Sequence, residues 1–104
     1  MIKAICMFKL SSDTNEEEFD NYFINKHVVD AKKLILLKKY TIAKVINKND
    51  DQDSFYRINE LYYDSVEDAN ESFNTDLAKA ATNELLGKVK DFTCIFCEEV
   101  KVKL

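Results

Sequence analysis

Proline and tryptophan do not occur in this 104-residue chain, and glycine and histidine occur once each. Each scarcity removes a class of function. A single glycine, Gly87, cannot build the loop that cradles a phosphate or a dinucleotide, so those fingerprints are excluded. One histidine and three dispersed cysteines do not make a ligand set, so no metal site is expected. No apolar run approaches membrane-spanning length, and the first five residues are too short and too mixed for a signal peptide. A cytoplasmic protein without membrane contact is the expectation. The net charge of −4 and a pI near 5.0, with lysines interleaved among acids, lack the basic face of a nucleic-acid binder. One basic cluster, Lys32, Lys33, Lys38 and Lys39, reads as the solvated end of a helix.

What is present is globular. Hydrophobic residues make up 46% and charged residues 33%, and the length predicts one domain over residues 1–104 with a modest core. Without proline and with one glycine, turns must use Asn and Asp, which bond their own backbone. The polar run at 47–53 is the clearest case. An odd number of cysteines argues against a secreted disulfide framework. Cys94-x-x-Cys97 has the spacing of a redox motif, but it lies in a strand-like run, where residues three apart point to opposite faces. All three cysteines are therefore read as small buried apolar residues.

Periodicity gives the elements. Residues 2–10 read as a strand. Ser11 to Thr14 form a turn and cap, with Thr14 and Glu17, or Asp13 and Glu16, as a capping box. Glu16, Glu17 and Glu18 then suit the positive end of a helix dipole. That helix runs to about residue 33. Strands follow at 40–47 and 55–63 as a hairpin. A second helical region begins at Ser65, with an apolar stripe of Val66, Ala69, Phe73, Leu77, Ala81 and Leu85 and a break near 74–76. Gly87 ends it, and residues 92–102 form the last strand. The order βαββαβ predicts an α+β, ferredoxin-like fold: a four-stranded antiparallel sheet with both helices on one face. A sheet with one wet face alternates between apolar and polar residues. Here Ile5, Met7, Ile95 and Cys97 make the second face apolar too, so a partner subunit is expected to cover it.

His27 carries the functional question. It falls on the apolar stripe Phe19, Phe23, His27, Ala31, Leu34, an unusual place for a group that titrates near neutrality. A neutral imidazole in an apolar pocket can accept a proton from an activated C–H or O–H, and burial keeps it neutral. Tyr22, Phe23, Tyr62 and Phe96 are candidates to line a cavity for a flat apolar ligand. Glu60 is the carboxylate to orient the ring, if it faces inward. The alternative is a core histidine bonded to a backbone carbonyl, in a non-catalytic binding or accessory module.

The segments Met1-Ile2-Lys3, Glu17-Glu18-Phe19-x-x-Tyr22-Phe23-x-x-Lys26-His27, Lys33…Lys39-Tyr40 and Glu60-Leu61-Tyr62-Tyr63-Asp64-Ser65 resemble the EthD family of dimeric α/β-barrel proteins. The resemblance runs from Met1 to about Glu99. Two positions depart from the family pattern: Val29 stands where a proline commonly follows the histidine, and Tyr62 stands where many relatives have tryptophan. The resemblance implies a homodimer with sheets packed face to face and a pocket between each sheet and its own helices. Proteins of this barrel class include cofactor-free oxygenases, muconolactone isomerases, polyketide cyclases and haem-degrading enzymes. The haem-degrading ones pair their ligand with a tryptophan, which this chain lacks, so no cofactor is expected. The expected function is binding of a small apolar or aromatic metabolite, with isomerase- or monooxygenase-type acid–base chemistry on His27.

Overall fold

The structure, a computed structural model, describes residues 1–46 and 54–104; the expected turn at 47–53 lies outside them. The chain forms β1 (Ile2–Lys9), α1 (Glu16–Tyr22), a π-helical turn (Phe23–His27), α2 (Val28–Ala31), β2 (Lys39–Lys44), β3 (Arg57–Tyr63), α3 (Val66–Phe73), α4 (Asp76–Leu86) and β4 (Lys90–Glu98). The sheet order is β2-β3-β1-β4 and all three pairings are antiparallel, which is the ferredoxin-like arrangement.

Local chemistry sets the helix starts. Asn15 caps α1 by accepting the Glu18 N–H at 3.0 Å. The expected caps, Asp13 and Thr14, are instead used one turn earlier, where both bond the Ser11 hydroxyl. Ser65 caps α3 and Thr75 caps α4, each accepting a backbone N–H three residues on. Thr75 also explains the break expected near 74–76: a new cap starts a new helix. Gly87 closes α4 with an ordinary right-handed backbone, so its left-handed freedom is not used there. The last strand ends at Glu98, short of the expected 102.

Strand register decides which side chains meet. Ala4, Cys6 and Phe8 of β1 lie opposite Leu61, Asn59 and Arg57 of β3, and this face carries the helices. Cys6 also lies opposite Cys94 of β4, 88 residues away, and the two are joined as a disulfide. This corrects the reading of three buried thiols. Cys94 is exposed, Cys6 and Cys97 are half-buried, and only Cys97 is free. The pairing depends on β1–β4 register, which no local pattern encodes.

The helix-side core has two parts. Phe8, Phe19, Phe23, Tyr56 and Leu85 form one, and Ala4, Leu61, Tyr63 and Ala69 the other. Arg57 is buried with the first. Its Nη2 lies 3.2 Å from Asp20 Oδ1, and its guanidinium sits 4.7 Å from the Phe23 ring centre. Asp20 also accepts from the Tyr56 hydroxyl at 2.9 Å and from Lys44 at 3.1 Å. Partial burial works against the Asp20 charge, but these three donors outweigh it and hold the carboxyl below its ordinary pKa. On the opposite face, Lys3 bonds Glu60 at 3.0 Å and Glu99 at 3.3 Å, and the Tyr62 hydroxyl reaches the same two acids. Among the described residues no helix is long and apolar enough to cross a membrane.

Phe8 is fully buried and lies 5.5 Å and 5.7 Å from the rings of Phe19 and Phe23. Phe8→Ala is expected to cost about 3–5 kcal/mol in chemical denaturation, a large part of the stability of a domain this size.

Candidate functional site

The segment that carries His27 is not a regular helix. The Val28 N–H bonds the Phe23 carbonyl, five residues back, so the chain widens for one turn between α1 and α2. In an α-helix each four-residue step drifts about 40° around the axis. The wider turn rotates less per residue and offsets that drift. Phe19, Phe23 and His27 therefore stay on one line: Phe23 stacks on Phe19 at 5.8 Å and His27 stacks on Phe23 at 5.2 Å. Tyr22 completes the aromatic group, with its ring 6.5 Å from the imidazole.

Beyond the stack, His27 borders a cavity of about 70 Å³ between the helices and the sheet. Ala31 and Leu34 line it from the first helical region and the loop after it. Cys6, Tyr40, Asn59, Leu61 and Phe92 line it from the sheet, and Phe73, Ala78, Ala81, Thr82 and Leu85 from α3 and α4. The walls are mostly apolar. The cavity adjoins an open depression that shares Cys6, Phe73, Thr82 and Phe92 and adds Lys79, Asn83 and Cys94, which gives a guest a way in.

The electrostatics favour a neutral ring. Burial lowers the pKa of His27 below its ordinary value, opposed by the charges of Asp30 and Glu84 and by the Ala81 carbonyl, and aided by Lys26. Lys26 itself pairs with Asp30 and lies 3.8 Å from Glu84. Nδ1 is buried and has no hydrogen-bond partner among the described residues. A neutral imidazole with a free ring nitrogen facing apolar surroundings can take a proton. Burial likewise raises the pKa of the Tyr40 hydroxyl to about 12, so it stays neutral on the sheet side of the cavity.

The candidate residues divide between the two sheet faces. Tyr22 and Phe23 stand with His27. Phe96 is on the helix side, stacked on Phe73 at 6.1 Å, and reaches the cavity only through that ring. Glu60 and Tyr62 are on the far face with Lys3, so neither meets His27 and Glu60 does not orient it. Tyr40 and Asn59 also line the cavity; Tyr40 falls in a segment of the family resemblance, and Asn59 is marked only as a lone Asn in an alternating strand.

No family model and no curated protein matches this sequence. Solved structures do match the fold. An EthD family protein from Bacillus halodurans C-125 has 23% identity and a TM-score of 0.83, over 96% of this chain and 99% of that one. A dimeric protein of ferredoxin-like fold from Bacteroides fragilis has 19% identity and a TM-score of 0.72, over 94% of this chain and 95% of that one. An antibiotic biosynthesis monooxygenase has 11% identity and a TM-score of 0.69, over 97% of this chain and 100% of that one. The resemblance to the EthD fold is thus present in three dimensions.

Titration of the single imidazole by NMR is expected to give a midpoint below 6.5. The fold favours the neutral ring, so its contribution to stability is intact above the unfolded value of about 6.5 and is lost as the pH falls toward the depressed folded value. His27→Gln should remove that part of the acid destabilisation, read as a flatter dependence of the denaturation midpoint on pH below 6.5.

Proposed function

We propose that this protein binds a small, largely apolar or aromatic metabolite in the cavity beside His27, and that His27 acts there as a proton acceptor without a cofactor. The observation that carries the reading is the buried, unpartnered Nδ1 of a neutral imidazole on the wall of an apolar cavity. A proton-transfer step of isomerase or monooxygenase type needs little more than such a base, a dry enclosure and an activated substrate. A monooxygenase with the same fold supports the second type of reaction. Phe23 and Tyr22 hold the ring in place. Tyr62 and Glu60, by contrast, belong to the other face of the sheet.

We propose that the other face carries a homodimer interface. Ile5, Met7, Ile58, Ile95 and Cys97 project from it, and Ile95 is 46% exposed in the single chain. A second copy laid sheet to sheet would bury this apolar surface, and the Lys3–Glu60–Tyr62 group would then lie in the interface. The dimeric Bacteroides protein of the same fold supports this arrangement.

Two measurements test these readings. His27→Ala is expected to keep the fold and the dimer and to abolish turnover or ligand binding. A His27→Ala protein that is unfolded, together with a wild-type protein that takes up no ligand, would establish a structural histidine instead. Light scattering is expected to give about twice the 12.1 kDa chain mass. A stable monomer at micromolar concentration would remove the face-to-face barrel.

A further inference from the structure

Cys6 and Cys94 are joined as a disulfide where the cavity meets the open depression. Cys6 lines both spaces, and Cys94 lines the depression alone. The two residues differ in access: Cys94 is exposed and Cys6 is half-buried. As register partners they share the helix side of the sheet, opposite the face proposed for the dimer interface. A second copy laid on that interface would leave Cys94 open.

The bond is not what holds its two strands together. The Cys6–Cys94 pair is flanked by Ile5–Ile95 and Met7–Thr93, and the antiparallel pairing continues to Ile2–Glu98. The backbone hydrogen bonds of that ladder keep β1 and β4 side by side after the sulfurs part. The two Cα atoms, 4.2 Å apart, are then still placed for the bond to close again without strand movement. Cys97 is no internal partner for the exchange. It lies three residues from Cys94, pairs with Lys3 and stands on the other face. Opening the bond therefore takes a thiol from outside.

The depression beside Cys94 has a volume of about 490 Å³, within the range of small-molecule sites. Lys79 is the one charged residue among those that line it, with Thr82 and Asn83 as polar neighbours. A cation there suits a thiol that carries carboxylates.

We propose that Cys94 is a thiolation site, at which a small thiol of the glutathione class exchanges with the Cys6–Cys94 disulfide in the folded protein. The incoming thiolate attacks Cys94 Sγ. The S–S bond breaks, and its electron pair leaves on Cys6 Sγ, which takes up a proton. A second thiol attacks the mixed disulfide, frees Cys94 as a thiol and departs with the first as their own disulfide. Two small thiols are oxidised and the protein disulfide is reduced, so no other oxidant or reductant enters. The attack falls on Cys94 because it is the exposed member of the pair. While the adduct stands, it occupies the depression that adjoins the His27 cavity. That consequence rests on the cavity being a ligand site; the exchange does not.

Glutathione is the probe. The folded protein, purified without reductant, is equilibrated with reduced and oxidised glutathione at a series of ratios and quenched in acid. Alkylation and peptide mass spectrometry then locate the free thiols and adducts. Before treatment one free thiol, Cys97, is expected. Intermediate ratios are expected to give an adduct on Cys94, and the most reducing ratio to free all three cysteines. Cys6→Ser removes the thiol that expels the adduct, so the adduct on Cys94 is expected to accumulate several-fold. Cys94→Ser is expected to leave Cys6 without one. A bond that stays closed in the folded protein and opens only with denaturant is a structural staple, and that result overturns the proposal. Three free thiols at every ratio, or an adduct on Cys6 or Cys97 and none on Cys94, overturn it equally. The wild-type series decides even where a variant does not fold. No readout uses a cavity ligand, so failure of the ligand-site reading is told apart from failure of the exchange.

Discussion

One buried cation among the described residues organises the helix side of this protein. Arg57 is 7% exposed, and a charge so placed needs a partner, because removing one side of a buried pair leaves a stranded ion. Asp20 is that partner, and it also gathers Tyr56 and Lys44. Such a pair contributes little net stability, since desolvation offsets most of the attraction. What it fixes is position. Asp20 sits on α1 between Phe19 and Phe23, so holding it over Arg57 sets both the rotation of the helix and its height on the sheet. Phe23 then lies on the guanidinium, and His27 lies on Phe23. The imidazole is the last link of a chain that begins at an ion pair in the core.

The π-helical turn completes that chain. In a regular helix His27 would lie one drift angle beyond Phe23. The widened turn keeps it stacked and gives it a cavity wall on its other side. Such turns often occur where a fold gives up regular geometry for a site.

The sheet separates two chemistries. Its helix side holds a partly open, mostly apolar cavity with a few polar groups. Its far side holds an apolar strip with the Lys3–Glu60–Tyr62 group at one end. Alternation along a strand made both faces legible as apolar. It did not say which residues of different strands share a face. Glu60 and His27 therefore read as neighbours in the sequence, whereas β1 pairs Ile5 with Glu60 and Cys6 with Asn59 of β3, which puts Glu60 on the far face. A one-residue change in register exchanges the faces, and register is a property of pairing rather than of either strand.

The linear chain by itself determined the order of elements, the four-stranded antiparallel sheet, the break at Thr75 and the inward position of His27, because each follows from periodicity or capping within a few residues. Only the tertiary structure decided the neighbours. It brought Cys94 against Cys6 from 88 residues away, turned Glu60 and Tyr62 outward, and set Asn59 and Tyr40 on the sheet side of the cavity that His27 borders. Those choices are made by side-chain packing across strands far apart in the chain, and short-range patterns carry no information about them.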